Sequence, residues 1–497
     1  MSGAFCSCNV YNKSMQNYYQ FIIPRLNGSE IRKNFRYYRS LVEKGVAGFI
    51  VFGGELNTLK EYLAALQTES ELPLIISSDL ERGLGQQVKG GTLFPPAMAM
   101  ASAFKKGSRV KGQGLEIKLL RASFRAVAEE ALYAGINTIF APVLDINTNP
   151  KNPIISVRAF GEDPETVSFF GSEMTRAFQA CGIAACGKHF PGHGDTEVDS
   201  HIKLPVVDKG LKRLRKYELL PFQRAIEENV RMIMLGHLKV PALDRSGTPV
   251  SISKKAVAFL REKMKFSGIV ITDAMNMGGI GAFSEEKAAF MALDAGVDLL
   301  LHPTDPLKVV SCLEAKNIAF DATRLKHFRA GLDRRRVETR PDFELHGRLS
   351  DLLTEKAVRL TADFRVSSGL FLIILDDDGQ RKGTSLVRAL KEEVPSLKTR
   401  LIRKDSDVRG IEVPKTAFVI VAVFSETKAW KGGASSWLYK QIAYLKDRAD
   451  LFVSFGSPYL FHDIQGELHG AQMFAYWDAV PAQRAVAKVI GDKAAAS

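Results

Sequence analysis

The sequence predicts an α/β fold: a (β/α)8 TIM-type barrel followed by a smaller α/β sandwich domain. Three observations predict it. Eight short apolar runs alternate with amphipathic segments across roughly the first 300 residues. The runs are mostly continuous rather than alternating, as expected of parallel strands buried on both faces. After a charged stretch of helical character, the strand-and-helix pattern starts again.

In order, the eight runs are YQFIIP (19–24), VAGFIVF (46–52), LPLIISS (72–78), NTIFAPV (137–143), GIAACGK (182–188), VRMIMLG (230–236), GIVITD (268–273) and GVDLLLH (296–302). The segments between them read as helices. Over 115–134, Leu120, Phe124, Val127, Ala131 and Leu132 recur at helical spacing, and Val167, Phe170, Met174, Phe178 and Cys181 do so over 165–181. Gly135, Gly182 and Gly296 fall where such helices end, which suits a left-handed cap before the next strand. Pro221 sits near the start of another helix, where a missing N–H costs little. A doubly wound open sheet is the competing arrangement, but no G-x-G-x-x-G follows the first strand, so dinucleotide binding has little support.

Residues 1–305 are therefore expected to form the barrel, 306–365 a helical connector and 366–497 the second α/β domain. The strands of the latter are GLFLIILDD (369–377), RLIR (400–403), AFVIVAVFS (417–425), DLFVSFGSP (450–458) and AQMFAYWD (471–478), with helices over 384–393 and 433–447. Composition limits the function classes. A 46% apolar share supports full cores and argues against disorder. No stretch approaches the roughly 20 apolar residues that span a bilayer, and the first twenty residues lack the basic and apolar regions of an export signal. Five unevenly spaced cysteines do not make a disulfide framework, so a cytoplasmic setting is the simplest expectation. The net charge of +13 is concentrated in TRLKHFRAGLDRRRVETR (323–340), a run with helical spacing and no aromatic interleaving. It reads as a solvated helix face rather than a nucleic-acid site.

In a (β/α)8 barrel the chemistry sits where the strands run out. Here the third strand leads to Asp79, Glu81 and Arg82, and the fourth to Asp145 and a loop carrying Arg158. The fifth delivers Lys188 and His189, and the sixth, seventh and eighth end at His237, Asp273 and His302. Such ends converge on one mouth. The fifth strand runs into GKHFPGHGDTEVDSH (187–201), whose proline and glycines forbid regular structure and permit a loop over that mouth. Within it Asp199 lies two residues before His201, close enough to fix the imidazole tautomer and favour its charged form, so His201 is a candidate general acid/base. Zinc ligation by His189, His193, His201 and Asp195 is the rival reading, weakened by the lack of a helical H-x-x-x-H pair or a cysteine pair. Asp273 reads equally as a nucleophile or as the N-cap of a helix over the AMNM that follows it. His193, Asp195 and Glu197 read as loop-shaping residues, His302 as a core or rim histidine, and His237 as either.

The stretch KHFPGHGDTEVDSH (188–201), with NPIISVRAFGEDP (152–164), ITDAMNM (271–277) and FGSPYL (455–460), resembles the β-N-acetylglucosaminidases of glycoside hydrolase family 3, the NagZ type, in its two-domain form. The long K-H-F-P-G-H-G…D-S-H pattern is specific; a bare KHF is not, because related β-glucosidases carry similar triplets. The resemblance implies a barrel followed by an α/β domain, and retaining hydrolysis of terminal β-linked N-acetylglucosamine, typically from peptidoglycan fragments. It implies Asp273 as nucleophile, His201 as acid/base with Asp199 as its partner, and Asp79, Arg158, Lys188 and His189 as sugar-binding residues. It implies a small carbohydrate substrate, no cofactor, no metal and no nucleic acid. Two departures stand out. The family often reads D-Q-E-G-G after the third strand where this chain reads DLERGLG (79–85), putting Arg82 in place of a glycine, and the C-terminal domain exceeds what single-domain members carry.

On this reading His201 protonates the leaving oxygen while Asp273 attacks the anomeric carbon, and water then opens the glycosyl-enzyme. An imidazole repels an anion less than a second carboxylate does, so a phosphorylase is the near alternative, and a β-glucosidase of the same family is another. A carbohydrate-binding scaffold on a decayed barrel would lack the dyad or the nucleophile, and both are present.

Overall fold

The computed structural model describes residues 16–106, 109–110, 114–197, 204–281, 283–332, 337–366, 369–404, 406–414, 416–425 and 433–496. The N-terminal segment 1–15, on which the export-signal expectation rests, lies outside the described residues.

The first body is a curled parallel sheet wrapped by helices. Its strands are β1 (Ile22–Ile23), β2 (Arg25–Asn27), β3 (Gly48–Phe52), β4 (Ile75–Ser78), a short hairpin β5 (Lys105–Lys106) and β6 (Arg109–Val110) outside the sheet, β7 (Thr138–Ile139), β8 (Ala184–Phe190), β9 (Met232–Leu235), β10 (Ile269–Thr272) and β11 (Leu300–Leu301). Seven strands pair in the order β10-β9-β8-β7-β4-β3-β2, all parallel. At the ends of this run β1 pairs with β11, and Leu299 makes a bridge to Ile271 of β10. β4, β8, β9 and β10 are buried along their whole length, which is why their sequences are continuous apolar runs. The serines that interrupt β4 are satisfied across the sheet: Ser77 donates to the Phe49 carbonyl at 3.0 Å and Ser78 to that of Val51 at 2.8 Å.

The amphipathic helices follow their spacing. Helices Leu115–Ala134 and Pro164–Ala180 bury Phe124 and Phe170 against Phe160 and Phe178 against Phe124, with the Phe160 and Phe170 rings stacked at 5.3 Å. Gly135, Gly182 and Gly296 have φ of 90°, 93° and 92°, the left-handed caps that only glycine takes without strain. The basic run departs from expectation. Within helix Thr323–Ala330, Arg329 is 5% exposed and donates to the Pro73 and Leu72 carbonyls at 2.9 and 3.1 Å, and Arg324 pairs with Asp298 at 2.8 Å. The charge there is partly consumed in fastening the helix to the first body, because Arg can reach several carbonyls at once.

The second body is a six-stranded sheet: β12 (Arg359–Leu360), β13 (Leu370–Asp376), β14 (Lys398–Arg403), β15 (Phe418–Ser425), β16 (Leu451–Gly456) and β17 (Ala471–Phe474). The order is β12-β17-β16-β15-β13-β14, parallel except for β12. Helices cover both faces, giving two apolar layers. Helix Phe343–Ala357 packs between the two bodies, on helix Ala97–Phe104 of the first and helix Val480–Ala495 of the second. At that junction the Ser102 hydroxyl lies 3.0 Å from the Tyr476 hydroxyl, and Met98, Ala99, Ala357 and Tyr476 close an apolar patch.

Candidate active site

The strand ends of the first body bring most of the anticipated residues together. Asp79 follows β4 and Lys188 lies on β8. The Lys188 ammonium, 2% exposed, sits 2.6 Å from Asp79 and 2.7 Å from Glu81. Arg158 ends the short helix Ser156–Arg158 and grips both oxygens of Glu81, Nε–Oε2 at 2.9 Å and Nη2–Oε1 at 2.7 Å, sharing Oε1 with Lys188. Two cations and two carboxylates therefore balance in one small volume. Burial favours the neutral forms of Glu81, Arg158 and Lys188, but the partners outweigh it: Arg158 and Lys188 hold Glu81 far below the ordinary carboxylate range, and Asp79 and Glu81 push the Lys188 ammonium up. All stay charged.

His189, next along β8, is oriented from behind. Asp145, fully buried after β7, accepts from the His189 ring at Nδ1 (2.7 Å) and from the backbone N–H groups of His189 (3.2 Å) and His193 (2.7 Å). Burial raises the Asp145 carboxyl and these donors pull it back below its usual value. With Nδ1 committed to Asp145, His189 keeps Nε2 for another partner. His193 also has its Nδ1 engaged, on Thr196 at 2.8 Å, and burial lowers its pKa to about 4, so it is neutral near pH 7. Among the described residues no three His, Cys, Asp or Glu side chains are arranged to hold a metal ion.

Asp273 ends β10. Its N–H donates to Leu235 at 2.9 Å and its carboxylate accepts from the Ala274 N–H at 2.8 Å. No helix begins there. Residues 274–277 form a turn, and the next α-helix, Glu285–Asp294, is capped by Ser284. The N-cap reading of Asp273 therefore does not hold: the turn over 274–277 runs into a short 3-10 helix, Gly278–Ile280, that begins five residues after Asp273. Burial raises the Asp273 carboxyl, but His189, His237, the Ala274 N–H and Lys188 together bring it below its ordinary value. It is an ionised carboxylate within electrostatic reach of Lys188 and His189.

His237, following β9, is an anchor. Its ring, fully buried, sits 2.7 Å from the Ser251 hydroxyl and 3.0 Å from the Ala274 carbonyl, so it fixes the peptide beside Asp273. His302 has φ of 47° at the end of β11 and a ring 6.0 Å from that of Phe52; burial and Arg25 lower its pKa to about 4. It is a neutral rim histidine. Asp199 and His201 lie outside the described residues. Their loop is held up to that point: Thr148 donates to Asp195 at 3.2 Å, Asn152 to the His193 carbonyl at 2.9 Å, and Lys209 pairs with Asp195 at 2.9 Å.

Arg82, the departure in DLERGLG, changes a contact without abolishing the turn. Gly83 takes the left-handed conformation (φ 84°), and a Cβ there would stand 2.7 Å from the Thr92 carbonyl. Arg82 donates to the Phe94 carbonyl at 3.3 Å and lays its guanidinium 4.8 Å from the ring centre of Trp477 in the second body. Sequence reasoning placed Glu81 and Asp145 at the mouth without seeing their roles as bridge and ring holder. An acid alternating with Asp79 across Leu80 was the available signal for Glu81; Asp145 offered none.

Comparison with known proteins gives the family. Residues 18–332 match the model of the glycosyl hydrolase family 3 N-terminal domain. Beta-hexosaminidase A of Pseudoalteromonas piscicida is 36% identical over 255 residues, 48% of this chain and 41% of that protein. A beta-N-acetylglucosaminidase/beta-glucosidase of Cellulomonas fimi is 32% identical over 250 residues, again 48% of this chain and 42% of the relative. The matches thus span about two-fifths of the length of these two curated relatives. The structure of a glycoside hydrolase family 3 beta-N-acetylglucosaminidase from Paenibacillus sp. str. FPU-7 is 27% identical, with a TM-score of 0.81 over 97% of each chain. With the family model covering most of its length, the chain belongs to glycosyl hydrolase family 3.

Proposed function

We propose that the chain is a retaining exo-β-N-acetylglucosaminidase that removes terminal β-linked N-acetylglucosamine, with peptidoglycan fragments as the natural substrates and the cytoplasm as the setting. The observation that supports this reading most is an ionised Asp273 within electrostatic reach of Lys188, which belongs to a buried ion-pair group with Asp79, Glu81 and Arg158. In the proposed reaction Asp79, Arg158, Lys188 and His189 hold the sugar hydroxyls. Asp273 attacks the anomeric carbon as His201, charged and steered by Asp199, protonates the departing oxygen. A glycosyl–Asp273 ester forms with inversion. His201, now neutral, takes a proton from water, which attacks the same carbon and restores the configuration. No cofactor enters these steps. The relatives named for hexosaminidase or N-acetylglucosaminidase activity support the choice of sugar.

The same proposal closes the curled sheet as an eight-stranded barrel, supported by the β1–β11 pairing and the Leu299–Ile271 bridge. The test is a pair of assays on N-acetylglucosaminide and glucoside reporters, each with and without phosphate. Turnover of the N-acetylglucosaminide alone, releasing free sugar and lost in Asp273→Ala, is the expected result. The Cellulomonas fimi relative bears both activities in its name, so faster cleavage of the glucoside would replace the substrate assignment. Sugar phosphate as product would replace hydrolysis by phosphorolysis.

A further inference from the structure

The backbone that follows Asp273 is held from both neighbouring strands. The Asp273 N–H donates to the Leu235 carbonyl of β9 at 2.9 Å, and the Met275 N–H to the Leu301 carbonyl of β11 at 2.8 Å. The Ala274 carbonyl, in the same peptide unit as the Met275 N–H, lies 3.0 Å from Nε2 of His237. A carbonyl only accepts, so this ring nitrogen carries a proton and donates it. The other ring nitrogen, Nδ1, lies 2.7 Å from the Ser251 hydroxyl, and both side chains are fully buried. A hydroxyl can donate or accept, so Ser251 completes Nδ1 and leaves the ring one orientation. Turning the ring over would set carbon against both partners. Ser251 is itself located, because the Val250 N–H fastens its short helix, Val250–Ile252, to the Leu238 carbonyl at 2.8 Å.

The atoms held this way are the ones that set the carboxylate. The Ala274 N–H donates to one Asp273 oxygen at 2.8 Å, a bond that lasts only while the backbone between them keeps its angles. Among the described residues the other oxygen accepts no hydrogen bond. Burial raises the Asp273 carboxyl, and the Ala274 N–H is one of the groups, with His189, His237 and Lys188, that bring it down. A nucleophile displaced by about 1 Å can lose a hundredfold in rate. We propose that Ser251 and His237 are positioning residues for the nucleophile: they hold Ala274 so that its N–H ties one Asp273 oxygen and leaves the other directed at the anomeric carbon. This rests on the glycosidase reading above, in which Asp273 attacks. Both residues act through Ala274 rather than on the sugar.

The test uses two variants of one shape. Ser251→Thr keeps the hydroxyl, and Ser251→Val puts a methyl in its place. On 4-nitrophenyl N-acetylglucosaminide, kcat in Ser251→Val is expected to fall about tenfold below that of Ser251→Thr, with KM within about twofold, the effect of one unmade bond to a buried nitrogen. The acidic limb of kcat/KM against pH should lie at higher pH in Ser251→Val, because a loosened Ala274 N–H no longer lowers the Asp273 carboxyl. Ser251→Ala, which adds no atoms, carries the same expectation against wild type should melting midpoints show that the larger side chains disturb the fold. Equal kcat and coincident acidic limbs with and without the hydroxyl, while Asp273→Ala is inactive, overturn the positioning role and leave the glycosidase reading standing. A wild type that does not cleave the substrate, or an Asp273→Ala variant as active as wild type, fails that reading and the positioning role with it.

Discussion

Replacing Glu81 with glutamine keeps the shape of the side chain and removes one charge. The buried group then changes from two cations and two carboxylates to two cations and one carboxylate. Lys188, 2% exposed, retains Asp79 as a carboxylate partner, and Arg158, 30% exposed, retains the Ile154 carbonyl at 3.2 Å, while the glutamine offers both only a neutral amide oxygen. Breaking a buried ion pair by removing one partner costs about 3–5 kcal/mol. Because Arg158 is partly solvated and Lys188 keeps one partner, the lower end, about 3 kcal/mol, is expected. The pH dependence has a definite sign. Glu81 has a folded pKa well below its ordinary value near 4.5, so its contribution is complete above that value and is lost as pH falls toward the folded pKa. The gap between wild type and Glu81→Gln should therefore be full at pH 7 and shrink steadily below about pH 4.5. Urea unfolding followed by tryptophan fluorescence at pH 7, 5 and 3.5 measures it. A loss under 1 kcal/mol at pH 7, or a gap that widens on acidification, would refute the charge-balance argument.

Three further outcomes follow from named contacts. Arg82→Ala removes the stacking on Trp477 and should cost about 1–2 kcal/mol while raising KM more than it lowers kcat, because the turn carrying Asp79 and Glu81 loses its hold on the second body; circular dichroism melts with steady-state kinetics check both. His193 is 1% exposed with a pKa near 4 against 6.5 when unfolded, so the unfolded chain binds the extra proton between those values and stability falls as pH drops from about 6.5 to 4. That loss, at most about 3 kcal/mol, should be flattened in His193→Gln when denaturation midpoints are compared at pH 7 and 5. His201→Ala should slow cleavage of a natural disaccharide by at least about a hundredfold yet spare substrates whose leaving groups need little protonation; equal activity of variant and wild type on the disaccharide would remove His201 as the acid/base.

Much of the scaffold was legible because strands buried on both faces leave continuous apolar runs, and helices against them leave a 3.6-residue rhythm. Helix Leu115–Ala134 and its Gly135 cap lie where the spacing put them. Two local readings were not recoverable in this way. AMNM has helix-forming residues, yet the bonds that pin Ala274 and Met275 impose a turn. The basic run looked like a solvated face because charge alone does not tell whether an arginine meets water or, as Arg329 does, the carbonyls of Leu72 and Pro73 more than 250 positions earlier.

The residue types at the strand ends, and the loop pattern that marks the family, were determined by the chain's local order: periodicity and motif are properties of neighbours. Which of those residues touch is a property of the closed fold. Glu81 meets Arg158 across 77 positions, Asp145 fixes His189 across 44, and Arg82 reaches Trp477 in the other body. Parallel strands separated by whole helices bring such distant groups to one end of a sheet. Charge compensation and buried hydrogen bonding there depend on separations of a few ångströms, and only tertiary packing sets those.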